Sequence, residues 1–472
     1  MSAALFGLLA ACTTVPAVEP VPRPFEAMQS NGVRWGAVVT GLDGEVIVAV
    51  RPDERFVPAS NTKIFTTAAA FQYLGDVETA DPADGTSLWL KPGGEGVAPS
   101  LVLRGAGDAS LADRPDCLEN CLHQLADAVA EAGITQVADV IGDDSLLPAS
   151  LWGQGWSWNN FVWYYTAPVS ALSVNENTLG LRVVPAGEAG LPVETQWLDG
   201  DDGYLILDNR ALTGAPDTDQ TLRLERVPGA NLMRLTGFVP AGAAPRVYAL
   251  AVNDPALSAA QRLVRLLEAR GIEVQGGAFG QREVQEPAEA LQEIARLQPP
   301  PLIDSIRRIQ RDSQNLHAEL LLRRTALARG ELTPEGGPET LRALIISAGL
   351  NPVEAELFDG SGLSTYNRVT PGGMTAFLRW TAAQPWGDAW RATLPAGGAE
   401  GTLTRRFRGT ILEGRIFAKS GSLHGVNGLT GFMLTASGRT LVFSVFANDR
   451  PADSPSIIAA MDAELVRIAA EN

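Results

Sequence analysis

Ser60-Asn61-Thr62-Lys63 lies at the start of a helical pattern that continues to Leu74. Side chains three residues apart project from one face of a helix, so this spacing predicts that the Ser60 hydroxyl and the Lys63 amine lie within hydrogen-bond reach. A serine hydroxyl is too weakly acidic to attack a carbonyl unaided, and a lysine with a lowered pKa can remove its proton. The stretch therefore predicts a nucleophile at Ser60 and a base at Lys63. The alternative is a serine at a helix start followed by a solvated lysine.

Lysine is scarce in this chain, and the scarcity favours the catalytic interpretation. Of 37 basic residues, 34 are arginine, and the lysines are Lys63, Lys91 and Lys419. Because guanidinium does not lose its proton in proteins, a lysine kept in such a chain indicates a position where arginine cannot substitute. The three histidines are His123, His317 and His424. The first two fall in helical patterns, which disfavours a histidine-based hydrolase, and His424 is the candidate for lining a cleft.

Length and charge limit the class of protein. A chain of 472 residues exceeds what one hydrophobic core usually organises, so two or three domains are predicted. The net charge of −17 argues against a nucleic-acid partner, because such binding depends on cationic contacts with phosphates. Strand-like patterns occur at 34–50 and 428–448, short broken strands occupy about 77–285, and helical patterns dominate about 287–392. The simplest architecture is one α/β domain built from both ends of the chain and interrupted by an insertion that is itself interrupted.

Two further polar motifs have the chemistry that such a serine enzyme needs. Lys419-Ser420-Gly421-Ser422 precedes a predicted strand, where a cation, a hydroxyl and a glycine suit the binding of a peptide carboxylate along a sheet edge. Its alternative interpretation is a surface turn. Ser313-Gln314-Asn315 falls in the short break between helical patterns at 302–311 and 316–328. Alone, this second motif is uninformative because Ser-x-Asn is common.

In combination, the three motifs resemble the active-site motifs of penicillin-binding proteins and serine β-lactamases. Roughly 250 residues separate the first two motifs, which is far too many for a β-lactamase and is similar to the low-molecular-mass class C penicillin-binding proteins. These are D-alanyl-D-alanine carboxypeptidase/endopeptidases of serine peptidase family thirteen. The resemblance runs from about residue 25 to the C-terminus. Further stretches that fit it are Leu103–Asp108, Ala167–Asn175, Asp359–Ser364 and Gly398–Leu403.

The resemblance implies an α/β fold, with a penicillin-binding transpeptidase/β-lactamase-like domain of antiparallel sheet and helices. This domain carries two nested, β-rich inserted domains. The ranges are 1–24 for a signal and tether, 25–76 and 286–472 for the transpeptidase-like domain, 77–183 and 247–285 for the first inserted domain, and 184–246 for the second. No metal and no cofactor are implied. Peptidoglycan peptides are the implied substrates and β-lactams the implied inhibitors.

The resemblance also implies a role for each motif residue. Ser60 would be acylated and Lys63 would be the general base. Ser313 would relay the proton to the leaving amine, and Asn315 would hold the substrate backbone. The remaining implied roles are a positive potential from Lys419, carboxylate binding by Ser420, close approach at Gly421, and an oxyanion hole from the N–H groups of Ser60 and Ser422.

Three positions depart from the family pattern. Ser420 replaces the more usual threonine and keeps the hydroxyl, so carboxylate binding is expected to survive. The family often has an acidic residue where Asn160 stands and a basic one where Thr365 stands, so the endopeptidase preference stays open. Alternatives to the carboxypeptidase are a β-lactamase or esterase with the same nucleophile, and a non-catalytic cell-wall-binding or β-lactam-sensing protein. Intact Ser60, Lys63 and Lys419 disfavour the non-catalytic protein.

The first twelve residues form an apolar run, too short to span a bilayer, that ends in small residues before Cys12. This pattern predicts a signal peptide. Leu9-Ala10-Ala11-Cys12 resembles the lipobox of bacterial lipoproteins, which implies lipidation of Cys12 and an extended tether after it. The alternatives are an ordinary cleaved signal peptide and an apolar segment without a targeting role. We therefore expect a periplasmic protein of a Gram-negative bacterium, held at the outer membrane only through Cys12.

Cys117 and Cys121 lie at the start of an amphipathic helical pattern that runs to Gly133. The pattern places them one helical turn apart. In an oxidising compartment the two thiols are candidates for a disulfide, and free, partly buried thiols are the alternative. The nearby His123 gives only a weak zinc signal.

Overall fold

The computed structural model describes residue 25 and residues 32–198, 204–227, 230–281, 291–452 and 457–472. Within these ranges the strands are β1 (Arg34–Gly41), β2 (Val46–Val50), β3 (Ser87–Lys91), β4 (Ser100–Arg104), β5 (Gln136–Asp143), β6 (Thr178–Val184), β7 (Glu194–Trp197), β8 (Ile206–Asn209), β9 (Leu212–Gly214), β10 (Arg223–Arg226), β11 (Leu232–Thr236), β12 (Phe238–Pro240), β13 (Arg246–Ala251), β14 (Glu273–Gln281), β15 (Gln292–Arg296), β16 (Ala355–Glu356), β17 (Arg368–Val369), β18 (Ile416–Leu423), β19 (Val426–Leu434) and β20 (Thr440–Asn448). The α-helices of the same ranges are α1 (Lys63–Tyr73), α2 (Leu122–Glu131), α3 (Pro255–Glu268), α4 (Leu302–Arg311), α5 (Asn315–Ala328), α6 (Gly336–Ser347), α7 (Pro371–Ala382), α8 (Gly387–Arg391) and α9 (Ile457–Glu471).

Both ends of the chain build one five-stranded antiparallel sheet, as predicted. Its strand order is β18-β19-β20-β1-β2, and β1 pairs with β20 along its whole length. Helices α1 and α4–α7 pack on one face, and α9 packs on the other. Along β20, the side chains of Val442 and Phe446 pack in the core on the side of α1 and α4–α7, and those of Phe443 and Val445 pack in the core on the side of α9. Both faces of β20 are therefore apolar, because helices cover both faces of the sheet.

The insertion leaves and re-enters this domain at neighbouring points. It contains a mixed five-stranded sheet, in the order β14-β5-β4-β3-β15, with α2 and α3 packed against it. Its first and last strands, β3 and β15, pair with each other, and Ser87 lies opposite Arg296. Strand β15 thus belongs to the insertion, and the boundary expected after residue 285 falls too early. The sequence pattern shows where a strand lies, but it does not show which strand will pair with it.

A second insertion lies within the first and closes in the same way. The first and last strands of this second insertion, β6 and β13, pair antiparallel, with Thr178 opposite Ala251. The second insertion has an apolar core of its own. The nested arrangement matches the predicted architecture. The range expected for this domain, 184–246, is too narrow, since it omits almost all of β6 and most of β13.

Cys117 and Cys121 form a disulfide. Their Cα atoms are 5.9 Å apart, which is a usual separation for bonded cysteines. The prediction that both lie on one helical turn is wrong, because α2 begins at Leu122 and Cys121 is its extended N-cap residue. Since the two sulfurs are bonded to each other, they are not available with His123 as zinc ligands.

The lipobox and the tether lie outside the described residues. In the part of the chain that the structure describes, no helix combines the length and apolarity needed to cross a membrane.

Candidate active site

Ser60 lies in a single 3-10 turn, Ala59–Thr62, immediately before α1. The Lys63 Nζ donates a hydrogen bond of 2.9 Å to the Ser60 Oγ, as the spacing predicted. The residue before Ser60, Ala59, has a φ of 49°, which is a strained conformation for a residue with a Cβ. Gly362 passes so close to this turn that a Cβ on it would lie 1.9 Å from the Ala59 carbonyl oxygen. Ser60 thus lies in a closely packed, strained turn.

Lys63 is fully buried and surrounded by hydrogen-bond acceptors. Besides Ser60, its amine donates to the Asn315 Oδ1 at 2.7 Å and to the Ser361 carbonyl oxygen at 2.5 Å. Burial lowers the pKa of Lys63 to about 7, and the negative charges of Asp359 and Glu319 oppose part of that effect. Near neutral pH a substantial fraction of the amine is therefore unprotonated and able to accept a proton from the hydroxyl.

A second lysine–serine pair faces the first. The Lys419 Nζ donates to the Ser313 Oγ at 2.9 Å and to the Ser420 carbonyl oxygen at 3.1 Å. Lys419 is also fully buried, and burial lowers its pKa well below the usual value, with a further decrease from the charge of Lys63 and an opposing effect of Asp312. Ser313 has a φ of 63° in the turn between α4 and α5. The structure therefore brings the three predicted motifs to one pocket.

Strand β18 forms the edge of the sheet beside Ser60. At its start, the Ala418 N–H donates to Pro395 and the Ile416 carbonyl accepts from Gly397, so these groups point outward from the sheet. Because the direction of backbone groups alternates along a strand, the N–H groups of Ser420 and Ser422 lie on this same edge. The Ser420 hydroxyl donates to the Thr402 Oγ1 at 2.8 Å, which adds Thr402 to the pocket.

The inserted domain contributes directly to the site. The carbonyl oxygen of Tyr165 accepts a 2.7 Å hydrogen bond from the Asn315 side-chain amide. The Glu176 carboxylate accepts from the Gln314 amide and pairs with Arg308. Burial alone would raise the pKa of Glu176, but His317, Arg308 and Gln314 together hold it below its usual value. These contacts fix the turn that carries Ser313.

An open cleft of about 770 Å³ leads to Ser60. Its wall includes Ser60, Ser313, Asn315, Ser422 and His424, and also the two departing positions Asn160 and Thr365. Trp156 is buried beside the cleft and donates to the Asp359 Oδ2 at 2.9 Å, whereas Trp158 is largely exposed. Within the described ranges, no group of three or more His, Cys, Asp or Glu side chains is arranged to hold a metal ion.

Sequence reasoning missed the contacts made by backbone groups. The run Asp359–Ser364 was noted for its resemblance to the family, but nothing in it indicated that the Ser361 carbonyl would bind Lys63. The same holds for the Tyr165 carbonyl, which follows the departing position Asn160 in the sequence. Glu176 directly follows the noted stretch Ala167–Asn175, and that adjacency was the available signal for it.

Comparison with known proteins relates this pocket to a group of cell-wall enzymes. Residues 26–468 match the model of the D-Ala-D-Ala carboxypeptidase 3 (S13) family. The chain is 32% identical over 449 residues to a D-alanyl-D-alanine carboxypeptidase of Actinomadura sp. strain R39, covering 92% of this chain and 80% of that protein.

Solved structures share the fold. Penicillin binding protein 4 (dacB) from Haemophilus influenzae superposes with a TM-score of 0.81 at 23% identity, over 93% of this chain and 96% of that one. A structure of the same protein complexed with a novel β-lactam gives a TM-score of 0.75 at 22% identity, with the same coverage of both chains.

Proposed function

Because this chain belongs to the D-Ala-D-Ala carboxypeptidase 3 (S13) family, we propose that it removes the terminal D-alanine from peptidoglycan stem peptides through an acyl-enzyme on Ser60. It is a serine-type D-alanyl-D-alanine carboxypeptidase by this membership. The observation that supports the acyl-enzyme route is the buried Lys63 amine, 2.9 Å from the Ser60 hydroxyl, with a pKa near 7. A base with a pKa near the working pH is the most effective proton acceptor.

The reaction begins when the unprotonated Lys63 amine accepts the Ser60 proton. The Ser60 Oγ then attacks the carbonyl carbon between the two D-alanines, and the resulting oxyanion accepts hydrogen bonds from the N–H groups of Ser60 and Ser422. Collapse of the intermediate breaks the peptide bond, and the proton taken up by Lys63 passes through Ser313 to the leaving amine, which returns Lys63 to its unprotonated form. Water then gives a proton to Lys63 as its oxygen attacks the ester, and Lys63 passes this proton to the Ser60 oxygen as the shortened peptide is released.

The groups along β18 suit recognition of a free carboxyl terminus. The Lys419 amine donates to the Ser420 carbonyl oxygen, and the Ser420 hydroxyl donates to the Thr402 Oγ1 at the open edge. A substrate carboxylate at this point would accept from the hydroxyl, and its negative charge would favour the protonated form of Lys419 against the effect of burial. Replacement of the usual threonine by Ser420 removes a methyl group and keeps the donor, so we expect terminal-carboxylate specificity to be retained.

The absence of a side chain at Gly421 allows β18 to approach the nucleophile. A Cβ there would lie 2.5 Å from the Asn61 Nδ2, 2.6 Å from the Pro58 carbonyl oxygen and 3.1 Å from the Ser60 backbone nitrogen. Gly421→Ala is therefore expected to displace the strand from the turn and slow acylation by about 100-fold, since small misplacements of reacting groups have effects of this size.

The measurement is the rate at which a fluorescent penicillin labels the protein. Gly94→Ala is the matched control, because a Cβ at Gly94 meets nothing within 4 Å. An unchanged labelling rate in folded Gly421→Ala would contradict the proposal that acylation requires the close approach of β18 to Ser60.

β-Lactams are proposed to inhibit the enzyme by acylating the same serine. The Haemophilus influenzae relative has been solved with a β-lactam, and the present fold matches that complex. When the lactam ring opens, its amine stays bonded to the acyl group and therefore remains near the Ser60 ester. A β-lactamase or esterase with the same nucleophile would differ in releasing this acyl group quickly.

Digestion of purified muropeptides tests the proposed substrate most directly. We expect pentapeptide stems to lose one D-alanine, detected as a tetrapeptide by mass spectrometry. Cleavage of cross-linked dimers to monomers in the same digest would establish endopeptidase activity, for which Asn160 and Thr365 lie in the cleft wall. Intact pentapeptides after prolonged incubation would refute the proposed substrate.

We also propose that the enzyme is periplasmic and anchored through lipidated Cys12. Peptidoglycan lies outside the cytoplasm, and the Cys117–Cys121 disulfide is typical of oxidising compartments. Leu9-Ala10-Ala11-Cys12 supports the anchor. Mass spectrometry of the mature N-terminus is expected to find a diacylglyceryl-modified Cys12, and an unmodified peptide containing Cys12 would contradict it.

A further inference from the structure

The position of the Lys63 amine depends on a loop that has no regular structure of its own. The Ser361 carbonyl, which accepts from Lys63, lies in the connection between β16 and β17. Two buried carboxylates organise this connection. Asp359 accepts from the N–H groups of Gly362 and Ser364, at 3.0 and 2.7 Å.

Glu319 holds the part of the loop that touches the lysine. Its Oε1 accepts from the N–H of Gly360 at 3.0 Å and from the N–H of Ser361 at 2.8 Å. The backbone of Ser361 is thus held at its N–H by Glu319, while its carbonyl oxygen accepts from Lys63. The mechanism described above makes no use of this glutamate, which is 4% exposed and does not line the cleft.

Glu319 follows Asn315 by one turn of α5, so both side chains project from one face of the same helix. Asn315 accepts directly from Lys63, and Glu319 reaches the lysine through the loop. A single rigid helix therefore sets two of the three acceptors around the amine. We propose that Glu319 is a positioning residue for acylation, which holds the Ser361 peptide so that its carbonyl aims the Lys63 amine at Ser60.

The charges near Glu319 imply that this residue affects the pH dependence of acylation. Burial raises the pKa of Glu319 to about 7, with a further increase from Asp359 and an opposing effect of Arg323. Glu319 and Asp359 in turn oppose the lowering of the Lys63 pKa by burial. The second lysine near Lys63 is Lys419, whose pKa is lowered further by the charge of Lys63. A second cavity, of about 310 Å³, is lined by Glu319 and Asp359 and by Arg323, Glu331, Glu335 and Glu339.

Removal of the Glu319 charge is therefore expected to change the pKa of Lys63 in a known direction. Without it, the ammonium form of Lys63 is less stabilised, its pKa falls, and the free amine persists to lower pH. A residue with a purely structural role would change rates or stability but would leave the pH dependence where it was. Because the pKa values of Lys63 and Glu319 are both about 7 and the charge of Glu319 acts on Lys63, the acidic limb of the pH profile reports on both groups.

The test is the pH dependence of acylation by a fluorescent penicillin, measured for the full chain. Glu319→Gln keeps an acceptor oxygen for the loop, so we expect its rate above pH 8 to stay within about tenfold of the wild type while the acidic limb moves down by about one pH unit. Glu319→Ala removes the acceptor as well, and we expect its rate above pH 8 to fall by about 100-fold. Glu464→Gln is the matched control, since Glu464 is a buried glutamate of α9 that pairs with Arg467.

An acidic limb that stays in place in Glu319→Gln would overturn the proposal, whether or not Glu319→Ala folds. The inference rests on the proposed acyl-enzyme, and the two can fail separately. A wild-type protein that is never acylated would overturn the proposed function and this inference with it. Normal wild-type acylation with an unmoved profile in Glu319→Gln would overturn the inference alone.

Discussion

Ser60→Ala is expected to abolish covalent labelling by penicillin and to lower carboxypeptidase turnover by about 10⁴-fold or more, as in serine hydrolases that lose their nucleophile. The change removes the one oxygen that the Lys63 amine can activate, at a contact of 2.9 Å. Lys63 keeps Asn315 and Ser361 as acceptors, so the free energy of unfolding is expected to change by no more than about 1 kcal/mol.

Intact-mass spectrometry after incubation with benzylpenicillin measures this effect directly. The wild-type protein is expected to gain the mass of one penicillin molecule, and Ser60→Ala is expected to gain none. Ser347→Ala is the matched control, because its hydroxyl lies at the end of α6 and donates to a backbone carbonyl of the same helix. A stoichiometric adduct on Ser60→Ala would remove Ser60 from the mechanism.

Lys63→Arg is expected to slow acylation by about 1,000-fold, although it keeps the positive charge. Guanidinium stays protonated in proteins and cannot accept the Ser60 proton, so the general-base contribution is lost. The wild-type rate is expected to increase with pH through about pH 7, because burial lowers the pKa of Lys63 to about 7 and only the unprotonated amine is a base. In Lys63→Arg this increase should disappear.

Stopped-flow measurement of the acylation rate between pH 5.5 and pH 9 separates the lower rate of Lys63→Arg from the loss of its pH dependence. Lys91→Arg is the natural control, since Lys91 lies on β3 of the inserted domain and does not line the cleft. Thermal unfolding of each variant checks that the arginine is accommodated. A near-normal rate for Lys63→Arg, or a wild-type rate that falls as the pH is raised from 6 to 8, would show that Lys63 is not the base.

Short-range features of the site could be predicted from sequence, and long-range ones could not. Ser60 and Lys63 are three residues apart at a helix start, so local geometry alone predicted their contact. Lys419 and Ser313 are 106 residues apart, and only the family resemblance placed them together. The contributions of Glu319 and of the Ser361 carbonyl depend on tertiary packing, for which no local pattern exists.

The fold shows the same division between local and non-local information. The strands near both ends of the chain were identified from their apolar residues, but the two-sided burial of β20 depends on helices distant in sequence. Pairing of β15 with β3, which moved a domain boundary, could not be predicted because alternation does not specify a partner strand. The cysteines were misplaced for a more local reason, since the helix begins one residue after Cys121.

The pairing of the first and last strands of each insertion is expected to favour one order of folding. The entropy lost on closing a loop grows with its length, and a folded insertion whose ends already touch acts as a short connection. We therefore expect the β6–β13 pair to close first, then β3–β15, and the β1–β20 pair last. Because β18 belongs to the sheet that contains this last pair, we expect the pocket around Ser60 to form at the final stage of folding and partly folded chains to be inert toward penicillin.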